Sequence, residues 1–349
     1  MTSARTAVPG RRIGVDLART AALALMVIAH VAPGDGPARI LLVSEFLTAP
    51  LFALLVGAGA QLGEDGARRH RAVRSLVRAL CLVVLGAALA QTSAQVVIVL
   101  GHLGVLTALC IPLVRCRTRT LALLLPAVLA AAWLLPPLYR AALAEAAAGT
   151  PLGSLLVRVL ALAGGEGPYR LAAMAACALA GILLIRHLTS RQPGAGPVLL
   201  AGGGALGVFA ALVIAPNVLG ILEVHAYDGT PAEITGDLAG AAGVLLLCWG
   251  AADLAPRVLG VLAVPGTMSL TLYTAQVLVL HLFSVLSDGR RDDSWPMLLG
   301  LLLAGALLAA LWRRSGPRAT AARGPLEGLV GLAEGAAIRL LSRGAASAR

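Results

Sequence analysis

The sequence contains no lysine. All 28 of its basic residues are arginine, set against 17 acidic ones, and only 13% of its 349 residues are charged. Ordinary soluble domains carry roughly a quarter charged residues, so this chain lacks the polar surface a water-soluble globule needs. Aromatic residues are 3% of the chain. A basic stripe interleaved with aromatics is missing, which argues against a nucleic-acid surface despite the net charge of +11. The five cysteines (Cys81, Cys110, Cys116, Cys177 and Cys248) are odd in number, form no C-x-x-C pair and mostly sit in apolar runs. They imply neither a disulfide framework nor a metal site, and read as small core hydrophobes. No G-x-x-x-x-G-K-S/T loop and no G-x-G-x-x-G after a strand occurs, so no phosphate-binding loop is indicated.

What the chain has instead is 58% hydrophobic residues and a mean hydropathy of +0.87. Its solvent is a bilayer. A spanning helix needs about 20 mostly apolar residues, and runs of that length recur at approximately 13–32, 40–62, 76–94, 96–114, 120–138, 170–188, 197–216, 234–254, 258–284 and 295–312. The expected architecture is an all-α, polytopic bundle of about ten transmembrane helices. The arginine-rich connections fall on one side: Arg5, Arg11 and Arg12; Arg68, Arg69, Arg71 and Arg74; Arg115, Arg117 and Arg119; Arg186 and Arg191; Arg257; and Arg313, Arg314, Arg318 and Arg323. The opposite connections carry Arg39, Arg140, Arg158, Arg290 and Arg291, the last two diluted by Asp288, Asp292 and Asp293. Placing the arginine-rich side in the cytoplasm predicts both termini there. The excess of Arg and Ala resembles a GC-rich bacterial coding bias, so the expected location is the bacterial cytoplasmic (plasma) membrane.

The membrane domain is expected over 1–320, followed by a tail at 321–349. Within it, 325–345 spaces apolar residues at a helical period beside Arg339 and Arg343, which suits either an amphipathic helix on the inner membrane surface or a frayed tail. Gly-rich stretches at 57–63 and 201–207 would let helices approach closely.

Ionisable groups inside spans are costly and mark function by default. The first span carries Asp16, Arg19 and His30 on one face, with His30 roughly 16 Å beyond Arg19. Asp16 and Arg19, at i, i+3, can pair near the inner end; Arg19 can also simply snorkel. The others collect on the outer side: Glu45, His102, Asp237, Gln276 and His281, with His225, Asp228 and Glu233 in the adjoining loop. Histidines and carboxylates converging at one depth would suit proton transfer. His30, His225 and His102, with Glu45 and Asp237, are therefore the candidate catalytic residues. On the inner side His70 and Arg68, Arg69, Arg71, Arg115 and Arg117 form a cationic rim, suited to lipid headgroups or to an anionic cytosolic ligand such as a phosphorylated acyl donor.

Three segments resemble one family. RRIGVDLARTAALALMVIAHVAP at 11–33 is similar to the first span of the bacterial transmembrane acyltransferases related to heparan-alpha-glucosaminide N-acetyltransferase and to YeiB-like membrane proteins, whose opening reads R-x-x-x-(L/V)-D-x-x-R-G-x-A. Asp16 and Arg19 match, and Thr20 replaces the usual Gly. EVHAYDGTPAEITGDLAGAAG at 223–243 is similar to the family's P-H-S-G-T-x-x-E loop and helix, matching at His225, Gly229, Thr230 and Glu233. VPGTMSLTLYTAQVLVLHLF at 264–283 is similar to its G-R-M-A-L-T-x-Y-x-x-H helix, matching at Gly266, Met268, Leu270, Thr271 and Tyr273. Gln276 stands where that pattern has His, Thr267 where it has Arg, and GHLG at 101–104 where many relatives have a Tyr-rich YYG. A glutamine cannot act as a general base.

The resemblance implies acyl transfer from cytosolic acetyl-coenzyme A, or another acyl-coenzyme A, to a hydroxyl or amine of an extracytoplasmic or outer-leaflet glycan or lipid. The arginine rim would hold the donor phosphates. Asp16 and Arg19, with Glu233, Tyr273 and Gln276, would order the site, and His30, His225 or His102 would take the acceptor proton. No permanently bound cofactor is expected. The expected partners are the lipid bilayer, acyl-coenzyme A, a glycan or lipid-linked acceptor and, as a homodimer, a second copy of the chain; nucleic acid is not among them. Two other readings stay open: a small-molecule transporter using Asp16, Arg19 and Glu45 along its path, and a catalytically silent member of the family.

Overall fold

The computed structural model describes residues 13–33, 43–63, 68–315 and 323–347. The expectations for Arg5, Arg11, Arg12, Arg39 and Arg318 lie outside them, as do the side chains of Arg68, Arg69 and Arg343. Among the described residues every regular element is helical: α1 (Ile13–Val31), α2 (Val43–Leu62), α3 (Arg68–Leu89), α4 (Leu100–Leu113), α5 (Thr118–Ala147), α6 (Pro151–Leu162), α7 (Leu171–Arg191), α8 (Ala195–Phe209), α9 (Ala215–Val218), α10 (Pro231–Leu254), α11 (Pro256–Leu262), α12 (Ser269–Leu286), α13 (Trp295–Ser315) and α14 (Pro325–Ser347). A π turn, Ala210–Ile214, joins α8 to α9 ahead of Pro216, where a missing N–H loosens the helical ladder. Nine of the described helical stretches are long and apolar enough to cross a membrane, and the chain is a multi-pass membrane protein.

Apolar side chains on the outside of the bundle agree with that solvent. Leu123 on α5 and Leu200 on α8 are 76% and 79% exposed, an arrangement that only hydrocarbon tolerates along whole helices. The core lies instead between α1, α2, α7 and α10, around Leu51, Leu54, Ile182, Ile185 and Leu245. At the α2–α7 crossing, a Cβ on Gly57 would collide with the carbonyl of Ala178, and one on Gly181 with that of Leu54. The backbones therefore meet without side chains between them, the device small residues provide in bilayers.

The run expected at 96–114 differs from its neighbours. Its helix, α4, starts only at Leu100 and is 14 residues long, because residues 93–99 form no regular structure. Non-helical backbone at such depth must find protein partners, and here it does. The Ser93 N–H donates to His281 Nδ1 at 3.1 Å, the Tyr169 hydroxyl donates to the Val97 carbonyl at 2.8 Å and the Val99 N–H donates to the Tyr273 hydroxyl at 3.3 Å. At its other end α4 meets Arg186, which donates to the carbonyls of Val114 and Cys116, both at 2.8 Å, and to Gln61 Oε1 at 2.7 Å. The segment thus runs from the start of α7 to its end.

Two polar layers cap the bundle. At one end, here the arginine end, Arg186 joins α2, α4 and α7, and Arg19 pairs with Asp16 at 2.7 Å. There the Thr20 hydroxyl accepts the Gly266 N–H at 2.9 Å and donates to the Asp16 carbonyl at 3.2 Å. Thr20 therefore pins α1 to the turn that starts α12. The tail segment is a helix docked at this end: Glu327 accepts from the Leu270 N–H at 2.7 Å and the Thr271 hydroxyl at 2.5 Å, capping α12, and Glu334 pairs with Arg78 of α3 at 3.0 Å. Residues 325–347 are thus helical.

Candidate functional site

The opposite end gathers most of the candidate residues, and it is built around a loop. Residues 219–230 link α9 to α10. Asn217 anchors the loop, its amide donating to the Val224 carbonyl at 2.9 Å and its carbonyl accepting the Val224 N–H at 3.0 Å. Thr230 then caps α10, its hydroxyl accepting the Glu233 N–H at 3.2 Å. Glu233 reaches back and accepts from the N–H groups of Tyr227 and Gly229, each at 3.1 Å. This is a capping box reaching into the preceding loop. The turn needs positive φ at Tyr227 (65°) and Gly229 (75°). Asp228 completes it, accepting from the Thr230 N–H at 2.7 Å and the His225 N–H at 3.2 Å.

Asp237 stands one turn beyond Glu233 on α10 and so shares its face. The two carboxylates, with Arg170, Tyr227, Met174 and Cys177, line a cavity of about 30 Å³, room for one water-sized group. Arg170, the residue before α7, donates to the Tyr227 carbonyl at 2.8 Å. Its Nε and Asp237 Oδ1 are both buried without a hydrogen-bond partner. Glu45 of α2 lies near enough to Tyr227 to act on it electrostatically. The Tyr227 ring meets the Tyr169 ring edge-on at 6.3 Å, and Tyr169 meets His102 at 5.5 Å. Burial, then the carboxylates of Glu45, Asp237 and Glu233, pushes the Tyr227 phenol up. Burial, then the neighbouring phenols of Tyr227 and Tyr273, does the same to Tyr169. Both phenols are neutral donors at physiological pH.

The histidines fall into separate neighbourhoods. His102 is exposed against Tyr169. His225 is exposed, with Nε2 3.6 Å from Glu223. His30 belongs to a second cluster: its Nδ1 lies 3.1 Å from Gln276 Nε2, and its carbonyl accepts from Gln95 Nε2 at 3.1 Å. Gln95 also donates to Asp293 at 2.9 Å and accepts the Asp292 N–H at 3.0 Å. Tyr273 serves the backbone of the 93–99 segment. Asp16 and Arg19 pair at the arginine end, together with the exposed Arg115 and Arg117 and the half-buried Arg71.

Glu233 and Asp237 thus come together on the cavity, Glu45 acts on the Tyr227 that lines it, and His102 stands two rings away. Arg170, Tyr169 and Tyr227 are the members that sequence reasoning missed. Their signal was rarity: the chain has four tyrosines, and two of them, Tyr169 and Tyr227, meet edge-on here. Arg170 is an arginine at the end opposite the arginine-rich connections. Comparison with known proteins finds no matching family model and no matching curated protein.

Proposed function

We propose that the chain is a membrane acyltransferase of about ten crossings in the bacterial plasma membrane, with both termini and the arginine end in the cytoplasm. It moves an acetyl or similar acyl group from cytosolic acyl-coenzyme A to an extracytoplasmic or outer-leaflet glycan or lipid. The observation that carries this reading is the convergence of Glu233 and Asp237 of α10 with Arg170 at the start of α7 on one cavity, with Glu45 of α2 acting on the Tyr227 that lines it, at the end opposite the arginines. Buried carboxylates in a membrane bundle mark a proton-handling site. The arginine end offers the complementary feature, a cationic rim with Arg71, Arg115 and Arg117 for the donor phosphates. The three motif segments also meet: the first and third touch at Thr20–Gly266 and again at His30–Gln276, and the second forms the cavity wall.

The test is calorimetric titration of detergent-purified protein with acetyl-coenzyme A, wild type against an Arg68→Ala, Arg69→Ala, Arg71→Ala variant. Saturable binding weakened by the triple change is expected. Folded protein that binds no acyl-coenzyme A contradicts the reading.

One observation favours a transporter as the second reading. Asp237 has a buried, unpartnered oxygen one turn from Glu233, as a proton-carrying site would. Substrate-dependent proton flux in proteoliposomes without an acyl donor is its signature.

A further inference from the structure

The two unmatched atoms in the cavity have opposite hydrogen-bonding sense. Arg170 Nε can only donate, and Asp237 in its ionised form, the one that can take up a proton, can only accept. Neither has a partner, and both residues line the same space of about 30 Å³. Asp237 is 8% exposed. The neighbouring carboxylate is already engaged, since Glu233 accepts from two loop N–H groups, so Asp237 is the open one. Arg170 is held in place from behind: it donates to the Tyr227 carbonyl, and a Cβ on Gly229 would stand 2.8 Å from its Cζ.

A group that satisfies both atoms must donate to Asp237 and accept from Arg170. An ammonium group only donates, would leave Arg170 Nε unmatched and would stand beside a guanidinium. A carboxylate or phosphate only accepts and would face Asp237. A neutral hydroxyl does both, and its oxygen keeps a second lone pair for attack. We propose that this cavity receives the hydroxyl of an alcohol acceptor, such as a sugar hydroxyl, and that the chain makes esters rather than amides. This rests on the acyl-transfer reading of the same site. In the step, the hydroxyl oxygen attacks the thioester carbonyl carbon and its proton passes to the Asp237 carboxylate. The new C–O bond forms as the C–S bond breaks, and the departing coenzyme A thiolate takes up the proton that Asp237 received, which leaves the ester, the free thiol and an ionised Asp237. Asp237 is in this scheme a catalytic residue, and Arg170 Nε–H holds the reacting oxygen.

The experiment incubates native membranes containing the overexpressed chain with [14C]acetyl-coenzyme A, washes away the residual thioester, then treats the labelled products with alkaline hydroxylamine, which cleaves oxygen esters and spares amides. Expected is chain-dependent label released by hydroxylamine. Asp237→Asn should lower it by roughly 100-fold or more while acetyl-coenzyme A binding to the purified variant stays within about twofold, a readout that also establishes folding. Gly229→Ala, which keeps the carboxylate but crowds the guanidinium, should lower ester formation too. Hydroxylamine-stable label overturns the hydroxyl assignment and leaves acyl transfer standing. Absence of chain-dependent label overturns both. Ester label undiminished in Asp237→Asn means that the cavity holds a structural water only, and overturns the site.

Discussion

His30 Nδ1 lies 3.1 Å from Gln276 Nε2, so the first and third motif segments touch through these two side chains. The pair is tied into Gln95 and the 292–293 segment, apart from the cavity of Asp237. Gln276→Leu should therefore cost about 1 kcal/mol of stability and reduce acyl transfer by no more than roughly threefold, against roughly 100-fold for a lost general base. Steady-state rates of Gln276→Leu and Asp237→Asn check this; a 100-fold loss in Gln276→Leu would move the base to His30.

Glu233 is the strut of the loop. Glu233→Ala removes the acceptor for two backbone N–H groups and should cost about 1.5–3 kcal/mol, read as a lower thermal midpoint in detergent and faster proteolysis within 219–230. Glu233→Gln keeps one acceptor and should lie between.

The two raised phenols give a pH dependence of known sign. Tyr169 and Tyr227 hold their protons more tightly folded than unfolded. The stability they contribute is therefore complete below the unfolded value near 10 and is lost as pH rises from there toward the folded value. Thermal midpoints measured from pH 8 to 11.5 should fall more steeply above about pH 10 in wild type than in Tyr169→Phe, Tyr227→Phe. Tyr169→Phe alone should cost about 1 kcal/mol at neutral pH, through the hydroxyl's bond to the Val97 carbonyl.

Glu327 fastens α14 to the start of α12 by accepting from the Leu270 and Thr271 N–H groups and the Thr271 hydroxyl. In Glu327→Ala, hydrogen exchange over 325–342 should accelerate, while exchange in α2 and α7 stays as in wild type.

The spans were legible because apolar length is a local property, and the close approach at Gly57 was legible in its run of small residues. The late start of α4 was not, since residues 93–99 are held out of a helix by His281, Tyr169 and Tyr273, which are 70 to 190 positions away. Glu233 and Asp237 could be paired from their spacing of four, but their cavity depends on Arg170, which no helical periodicity connects to α10. The histidines share a depth in the sequence reading; the structure distributes them around the bundle, because depth leaves the direction around a helix unspecified.

The central claim is that acyl groups enter at the arginine end and leave from the carboxylate end. Its most direct test supplies [14C]acetyl-coenzyme A to the outside of sealed vesicles of either orientation. Inverted vesicles, which expose the cytoplasmic face, should label their membrane acceptors, right-side-out vesicles should not, and Asp237→Asn should abolish labelling in the former. Equal labelling from both faces, or full labelling by Asp237→Asn, would contradict the account.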